Sequence, residues 1–275
     1  MTKKIWFITG ISRGLGHALT GAALARGDAV IGTTRDGSRP SALVGDLTVL
    51  PLEMSATEEI ARIVHQAHAV HGRLDVVVNN AGYGLLGSIE AARDDEVARQ
   101  FSVNVFGPLA LIRAVLPLLR AQSAGHIVNI SSVAGIAPAA GSGLYSATKA
   151  ALTALSYSLA QEVAPFGIWV TNVAPGSFRT DFLSPRSAHR TASDIDDYAA
   201  SSGRAVEGLL TKDGRQIGNP EAAALAILQA VDADEPPLDL LLGSDALQRA
   251  HLRRDRFDEE VSRWGDVSRS TDFSA

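Results

Sequence analysis

The stretch IWFITGISRGLG, Ile5 to Gly16, decides the fold. Its first half is an apolar run that predicts a buried strand, and its second half is a glycine-rich turn leading into an apolar helical pattern over residues 18–24. A strand, a glycine turn and a helix in this order let backbone N–H groups receive a diphosphate, because no Cβ blocks the approach. The spacing G-x-x-x-G-x-G differs from the usual dinucleotide fingerprint, so a tight strand-to-helix connection is the open alternative.

Length and composition favour one compact domain with small-molecule partners. The chain has 275 residues, 46% hydrophobic and 20% charged, and its net charge of −5 offers no general attraction to nucleic acid or to an anionic membrane. It has no cysteine, which excludes disulfides and thiolate chemistry and fits a cytoplasmic location. The apolar run after Lys4 ends at Thr9, too soon for a signal peptide or a membrane span.

Strand and helix patterns alternate along the whole chain. This alternation predicts an α/β fold, a single-domain Rossmann-type doubly wound parallel sheet of about seven strands flanked by helices. Pro117 is expected to kink or end the helix in which it lies. The predicted strands are 5–8, 29–34, 48–52, 74–79, 126–130, 167–173 and 238–242, and the helices after the first are 56–71, 92–120, 144–164, 220–231 and 244–264.

Two arginines stand where an adenosine ribose would lie in such a fold. Ligands bind at the carboxyl ends of the strands, and Arg35 follows the second strand while Arg13 lies in the glycine turn. A carboxylate there binds a free 2′-hydroxyl, whereas arginine favours a 2′-phosphate through charge and a forked hydrogen-bond geometry. The pair predicts NADP(H) in preference to NAD(H). Asp36 is a complication, since it could approach the ribose instead.

Tyr145 and Lys149 are four residues apart at the start of a predicted helix, so they lie on one helical face. A free phenol has a pKa of about 10, and an ammonium group beside it favours the phenolate and lowers that pKa. Such a pair fits proton exchange with an alcohol or carbonyl oxygen. Taken alone, such a spacing is more often an ordinary surface pair. Asn104, in an apolar stripe, is by its spacing alone better interpreted as a satisfied core amide.

The histidines of the second predicted helix do not indicate a metal site. His65, His68 and His71 fall on different faces and have no carboxylate pattern nearby. We interpret them as surface residues.

Taken together, the motifs resemble the short-chain dehydrogenase/reductase family over about residues 1–180. Each motif is weak by itself, but the ordered set is specific. Ser132 lies thirteen residues before Tyr145, the separation expected in that family. The set is Thr9-Gly10-x-x-x-Gly14-x-Gly16, Asn79-Asn80-Ala81-Gly82, Asn104, Ser132, Tyr145-x-x-x-Lys149 and Pro175-Gly176-x-x-x-Thr180.

The resemblance implies hydride transfer between a nicotinamide and a carbonyl or carbinol carbon. Tyr145 would exchange the proton with the substrate oxygen, Ser132 would hydrogen-bond that oxygen, and Lys149 would lower the phenol pKa and hold the nicotinamide ribose. Asn104 would hold a water that links Lys149 to solvent. The positions that match cofactor contacts are Gly10, Ser12, Arg13, Gly14, Leu15, Gly16, Arg35, Glu53, Met54, Asn80, Ala81, Gly82, Tyr145, Lys149, Pro175, Gly176, Phe178 and Thr180.

Three further features qualify the resemblance. Glu53-Met54 stands where the family more often has aspartate beside a small aliphatic residue, which shifts the expected contact with adenine. The segment 33–36 and the long C-terminal extension resemble the branch that contains 17β-hydroxysteroid and retinol dehydrogenases and many bacterial carbonyl reductases. Residues 177–218 stand where the family carries its substrate lid, and we expect them to order over bound ligand; a plain surface insertion is the alternative.

The C-terminal extension, residues 244–275, is predicted to be a charged helix followed by a loosely ordered end from Ser268. Ala250, Phe257, Val261 and Trp264 form one stripe on that helix. The stripe could cover the fold, meet another subunit or touch a membrane. We expect packing on its own domain, because the opposite face mixes both charges without a basic bias.

These observations lead to one hypothesis, an NADP(H)-dependent oxidoreductase that interconverts a carbonyl compound and a secondary alcohol. A catalytically silent NADP(H)-sensing regulatory protein and an epimerase or dehydratase on the same scaffold are the alternatives. The expected partners are a largely apolar small-molecule substrate and a second copy of the chain, since the family forms dimers and tetramers through helices here about 92–120 and 144–164. The sequence does not determine the substrate, the direction or the stereochemistry.

Overall fold

The computed structural model describes residues 3–273 and confirms the predicted α/β architecture. Its seven-stranded sheet is parallel throughout, in the order β3-β2-β1-β4-β6-β7-β9. The strands are β1 (Ile5–Thr9), β2 (Ala29–Thr34), β3 (Leu47–Pro51), β4 (Val76–Asn79), β5 (Gly84–Leu86), β6 (Gly125–Ile130), β7 (Ile168–Pro175), β8 (Ala188–Arg190) and β9 (Asp239–Leu242). The helices are α1 (Gly14–Ala25), α2 (Thr57–His71), α3 (Asp94–Phe101), α4 (Gly107–Gln122), α5 (Gly143–Val163), α6 (Arg204–Leu210), α7 (Pro220–Val231) and α8 (Ser244–Arg269).

Helices cover both faces of the sheet, which explains why its strands are apolar without alternation. On one face, Phe7 and Val77 pack with residues of α2, α4 and α5, including Leu111. On the other, Trp6 and Val78 pack with residues of α1 and α7. Strand ends are therefore the places where polar side chains reach solvent or a ligand.

The long helical stretch predicted over 92–120 is interrupted, but away from its proline. A π-helical turn over Ser102–Phe106 separates α3 from α4, and α4 continues past Pro117 to Gln122. The stretch Asp94–Gln122 is long and apolar enough to cross a membrane by length and composition, yet Leu111 and Leu119 are fully buried in the core of the fold. The π turn contains Asn104, and such turns frequently occur at functional sites.

Residues 177–218 form a segment whose two ends are joined. Phe178 and Gly218 pair as an isolated bridge, with Arg179 N donating to the Gly218 carbonyl at 2.9 Å. Within the segment, β8 pairs in parallel with β5, and α6 contributes Val206 to a small apolar cluster with Leu86. Sequence patterns did not predict β5 or β8, because each strand has only three residues.

The C-terminal helix corrects an expectation. α8 has 26 residues and runs to Arg269, beyond the predicted end and through part of the stretch expected to be loosely ordered. Only its first turns contact the fold, with Ala246 buried against Val133 and Ala137. From His251 to Arg269 every residue is exposed except the half-buried Gly265. The expected packing of the stripe on its own domain is therefore wrong; Ser274 and Ala275 lie outside the described residues.

Candidate active site

The glycine turn lies between β1 and α1 at the carboxyl edge of the sheet. Gly10 and Gly14 have φ angles of +72° and +62°, which favour glycine, and Gly10 N and Ile11 N donate to the Thr33 carbonyl of β2. Gly16 is required by packing, since a Cβ there would lie 2.5 Å from the Gly10 oxygen and closer still to the Asn80 amide nitrogen. The turn thus keeps its backbone close to β4 and open to the cavity.

Asn80 braces this turn from the end of β4. Its Nδ2 donates to the carbonyl oxygens of Thr9 at 2.8 Å and Gly10 at 3.0 Å. The buried Thr9 hydroxyl accepts from the backbone N–H groups of Asn80 at 3.0 Å and Ala81 at 3.1 Å. The structure therefore uses the Asn80 amide nitrogen to shape the turn.

The two arginines and Asp36 have different surroundings. Arg35 lines the cavity at the end of β2, whereas the Asp36 carboxylate accepts from Ser38 N at 3.1 Å and Ser38 Oγ at 2.6 Å. These hydrogen bonds lower the pKa of Asp36 and turn its carboxylate to the local loop. Arg13 donates to Ser187 Oγ at 3.0 Å and to the Arg186 carbonyl at 2.9 Å.

Positive charge is concentrated around Arg13. Burial and the neighbouring charges of Arg35 and Arg186 lower the pKa of Arg13, opposed by the Asp181 carboxylate. His189 lies in the same region, where burial first, then the charges of arginines including Arg35, lower its pKa. An excess of cations at one end of a cavity fits a ligand that carries several phosphate charges.

Ser132, Tyr145 and Lys149 converge at the other end of the cavity. Ser132 lies two residues after the end of β6, and Tyr145 occupies the first turn of α5, where it is 9% exposed. Lys149 is buried one turn later and donates from Nζ to the Ile130 carbonyl at 2.7 Å. Its Nζ lies 5.9 Å from the centroid of the Tyr145 ring.

The pKa shifts of this group differ from the expectation for the pair. Burial raises the pKa of Tyr145 to about 12, and the Ser132 hydroxyl acts in the opposite direction. Burial lowers the pKa of Lys149 to about 8. The protein alone therefore keeps the phenol protonated near neutral pH, and the pKa of Tyr145 is raised where the sequence led us to expect it lowered.

Asn104 lies behind the cavity wall. Its Oδ1 accepts from Tyr83 N at 3.1 Å, and its Nδ2 donates to the Tyr83 carbonyl at 2.9 Å and to Thr148 Oγ1 at 3.1 Å. It connects the π turn to the segment after β4 and to α5. A Cβ on Gly82 would lie 3.1 Å from Asn104 Oδ1 and 3.6 Å from Lys149 Nζ, so Gly82 keeps the space between them open.

One cavity of about 1600 Å³ joins the two ends. It exceeds the roughly 300–1,000 Å³ of common ligand pockets, which leaves room for a dinucleotide and a second molecule. The predicted catalytic and cofactor residues line it, apart from Asn104 and Gly16. Glu53 and the buried Met54 follow β3, which lies next to the strand that precedes Arg35, and they line the same end of the cavity as Arg35. The glycine cradle at one end and buried Lys149 at the other fit a nicotinamide dinucleotide.

Several cavity residues were missed by sequence reasoning. Asp245, in the first turn of α8, accepts from Ser177 N at 2.8 Å, and its other carboxylate oxygen is buried without a hydrogen-bond partner among the described residues. Arg249 lines the cavity and donates to the Ala137 carbonyl. The Phe182 ring lies 5.4 Å from that of Tyr145. No local pattern marks the α8 residues, because a distant part of the chain brings them here.

The fold and the site together define a class, the nucleotide-binding oxidoreductases built on a doubly wound sheet. The family model described as short chain dehydrogenase matches residues 4–191. An oxidoreductase of Botryotinia fuckeliana, BOA17, is 38% identical over 270 residues, which cover 96% of this chain and 98% of that protein. A 3-ketodihydrosphingosine reductase of Bacteroides thetaiotaomicron is 35% identical over 88% of this chain and 89% of its own.

Solved structures agree with these relatives. A short-chain dehydrogenase from Streptomyces avermitilis is 40% identical, with a TM-score of 0.91 over 99% of this chain and 100% of its own. A metagenomic short-chain oxidoreductase in complex with NADP is 28% identical, with a TM-score of 0.69 over 87% of this chain and 96% of its own. A short-chain dehydrogenase/reductase from Burkholderia phymatum in complex with NAD shares the fold. It is 21% identical, with a TM-score of 0.83 over 94% of this chain and 95% of its own. The chain belongs to the short-chain dehydrogenase family and is an oxidoreductase of that family.

Proposed function

We propose that this protein is an NADP(H)-dependent oxidoreductase that interconverts a carbonyl compound and a secondary alcohol, with Tyr145 as the acid and base. The observation that carries the proposal is the convergence of Tyr145, Ser132 and buried Lys149 at one end of a cavity whose other end holds the glycine turn and Arg35. A bound nicotinamide would supply or accept the hydride. The protein's own residues would bind and orient the cofactor and the substrate, and Tyr145 would transfer the proton.

Each of the three side chains has a separate role in this proposal. The phenol of Tyr145 is protonated near neutral pH, the form that donates a proton to a carbonyl oxygen. Ser132 presents its hydroxyl to the same oxygen. Lys149 is held by the Ile130 carbonyl and would bind the nicotinamide ribose. Its positive charge would lie near the phenol of Tyr145 when negative charge develops on the phenol oxygen. The roles of Ser132 and Lys149 follow from the family position and their proximity to Tyr145.

Replacing Tyr145 by phenylalanine tests the chemical role. We expect turnover of a carbonyl panel to fall about 10²- to 10⁴-fold, because the proton donor is lost, while NADPH affinity stays near wild type. Absorbance of NADPH measures turnover, and fluorescence titration measures binding. Tyr157→Phe is the control, since that tyrosine lies on the same helix and bonds Asp239 instead. Near-normal turnover by Tyr145→Phe would refute the mechanism, and NADPH binding without turnover of any substrate by the wild type would favour a sensor.

The proposed preference for NADP(H) rests on Arg35 and Arg13. Arg35 lines the cavity while Asp36 is held by Ser38, so the cation is the group available to a 2′-phosphate. We expect Arg35→Asp to weaken NADPH binding and to move the preference toward NADH. Arg62→Asp, on the exposed side of α2, is the control. An unchanged ratio of NADPH to NADH affinity in Arg35→Asp would show that another group reads the phosphate.

We also propose the remaining family features for this chain. The chain would act as one domain, in the cytoplasm. Residues 177–218 would form a lid, and because the two ends of this segment are joined, it would move as a unit. Its substrate would be largely apolar, and copies would associate through the helices near 92–120 and 144–164. Lid mobility is measurable by hydrogen exchange with and without NADPH, and equal protection in both states would argue against a lid.

A further inference from the structure

The exposed part of α8 has the composition of a helix that needs a partner. We name His251–Arg269 the arm. Phe257, Val261 and Trp264 lie on one face of the arm and are 52%, 54% and 57% exposed. α8 is about 39 Å long at 1.5 Å per residue, and most of that length projects past its contact with the fold. Helices in water gain most of their stability from packing of an apolar face, and this face has no contact with the described part of its own chain.

Charge argues against a membrane as the partner. α8 carries six arginines and six acidic residues, so its net charge is zero with histidine neutral. Helices that lie on anionic membranes carry lysine and arginine in excess on the polar face. The arm would gain no electrostatic attraction there.

The same charges are complementary between two antiparallel copies. Arg253, Arg254 and Arg256 precede Phe257, and the acidic run 258–260 follows it. If two copies of α8 pair over residues 250–264 about a two-fold axis at Phe257, the basic block of each lies alongside the acidic block of the other. The Arg253 guanidinium already lies 5.5 Å from the centroid of the Phe257 ring, next to the expected contact.

Side-chain size is complementary in the same arrangement. The symmetry that sets Phe257 opposite its own copy sets the large Trp264 opposite the small Ala250. A two-fold contact of this kind uses one surface twice and closes, so it yields a pair of chains. Parallel arms would instead bring basic block against basic block.

We propose that the arm is an interface in which α8 pairs antiparallel with α8 of a second copy of this chain. The contact is separate from the helices near 92–120 and 144–164. It also reaches the active site, because the first turn of α8 holds Ser177 N through Asp245 and its next turn lines the cavity with Arg249. Pairing would hold α8, and through it the loop after β7, in one position.

Substitutions on the arm test the pairing without disturbing the fold, since these residues are exposed. Phe257→Glu/Trp264→Glu should lower the mass of the native assembly, measured by sedimentation and light scattering, to half that of wild type. Leu252→Glu is the matched control, because Leu252 is 51% exposed on the opposite face of the same helix and should leave the mass unchanged. Circular dichroism checks that both variants are folded.

Charge exchange tests the antiparallel direction. Arg253→Glu/Arg254→Glu alone and Asp258→Arg/Glu260→Arg alone should each lose the association, and mixing the two variants should restore it. Combining all four substitutions in one chain should also restore it, because the blocks are exchanged and remain complementary. Parallel pairing predicts no rescue by the fourfold variant.

The outcomes are independent of enzymatic activity. An unchanged mass in Phe257→Glu/Trp264→Glu, or an equal loss in Leu252→Glu, would overturn the proposal. A membrane contact would overturn it as well. In that case wild-type protein would sediment with phosphatidylserine–phosphatidylcholine vesicles, and Phe257→Glu/Trp264→Glu would abolish this binding without changing the mass of the assembly.

Discussion

Replacing Thr9 by valine would remove a buried hydroxyl that holds the glycine turn against β4. Thr9 is fully buried, and its Oγ1 donates to the Val78 carbonyl at 3.2 Å while it accepts from Asn80 N and Ala81 N. Valine has almost the same shape, so packing is preserved and the two N–H groups lose their acceptor. At about 1 kcal/mol for each of the three hydrogen bonds lost, we expect the free energy of unfolding to fall by about 3 kcal/mol.

Urea unfolding measures this change, with fluorescence of the buried Trp6 on β1 as a probe close to the substitution. Thr48→Val is the control, because Thr48 is a half-buried strand residue whose hydroxyl makes no hydrogen bond within the described residues. NADPH affinity should fall in Thr9→Val and not in Thr48→Val, since the turn is part of the cofactor cradle. A loss of stability below about 0.5 kcal/mol, the usual scatter of surface substitutions, would refute the assigned role of Thr9.

Two further predictions concern the same core. Gly16→Ala should lower both the free energy of unfolding and the NADPH affinity, because its Cβ would lie 2.5 Å from the Gly10 carbonyl oxygen. Gly21→Ala, on the same helix, should be tolerated, because its Cβ would lie 3.6 Å from the Leu43 side chain. Equal effects of the two substitutions would contradict the packing argument. Burial lowers the pKa of His126 to about 4 from 6.5, so its contribution to stability, at most about 3 kcal/mol, is present above pH 6.5 and lost as pH falls from 6.5 to 4. His126→Asn should therefore flatten the pH dependence of unfolding between pH 7 and 4.5, whereas His65→Asn, on the surface, should not.

Much of the sheet was predictable because its signals are local. Buried parallel strands give continuous apolar runs, and all seven strands of the large sheet were identified within two residues at each end. The positions of the glycine turn, Ser132, Tyr145 and Lys149 were predictable as well, because strand ends and helix starts of a parallel sheet meet at one edge. Their roles stay predictions.

Other features depend on residues far apart in the chain. The helical break at Asn104 had no signal in the sequence, because the Asn104 side chain accepts from Tyr83 N and donates to Thr148 Oγ1, and both partners are distant in the chain. Pro117 stands within α4 without ending it, so a helix end at this proline, one of the two expected effects, does not occur. Propensity describes one segment, and these outcomes depend on what packs against it.

The sequence by itself determined the sheet, because its strands follow from apolar periodicity, and it indicated the chemical class of the site through the resemblance of its ordered motifs to a family. Only the tertiary structure decided the balance of charge and burial. Burial raises the pKa of the Tyr145 phenol against the opposing hydrogen bond from Ser132, and the Asp36 carboxylate is held by Ser38. It also decided the position of α8. An apolar stripe indicates that a helix is amphipathic, but which surface covers the stripe depends on how far the fold extends along the helix.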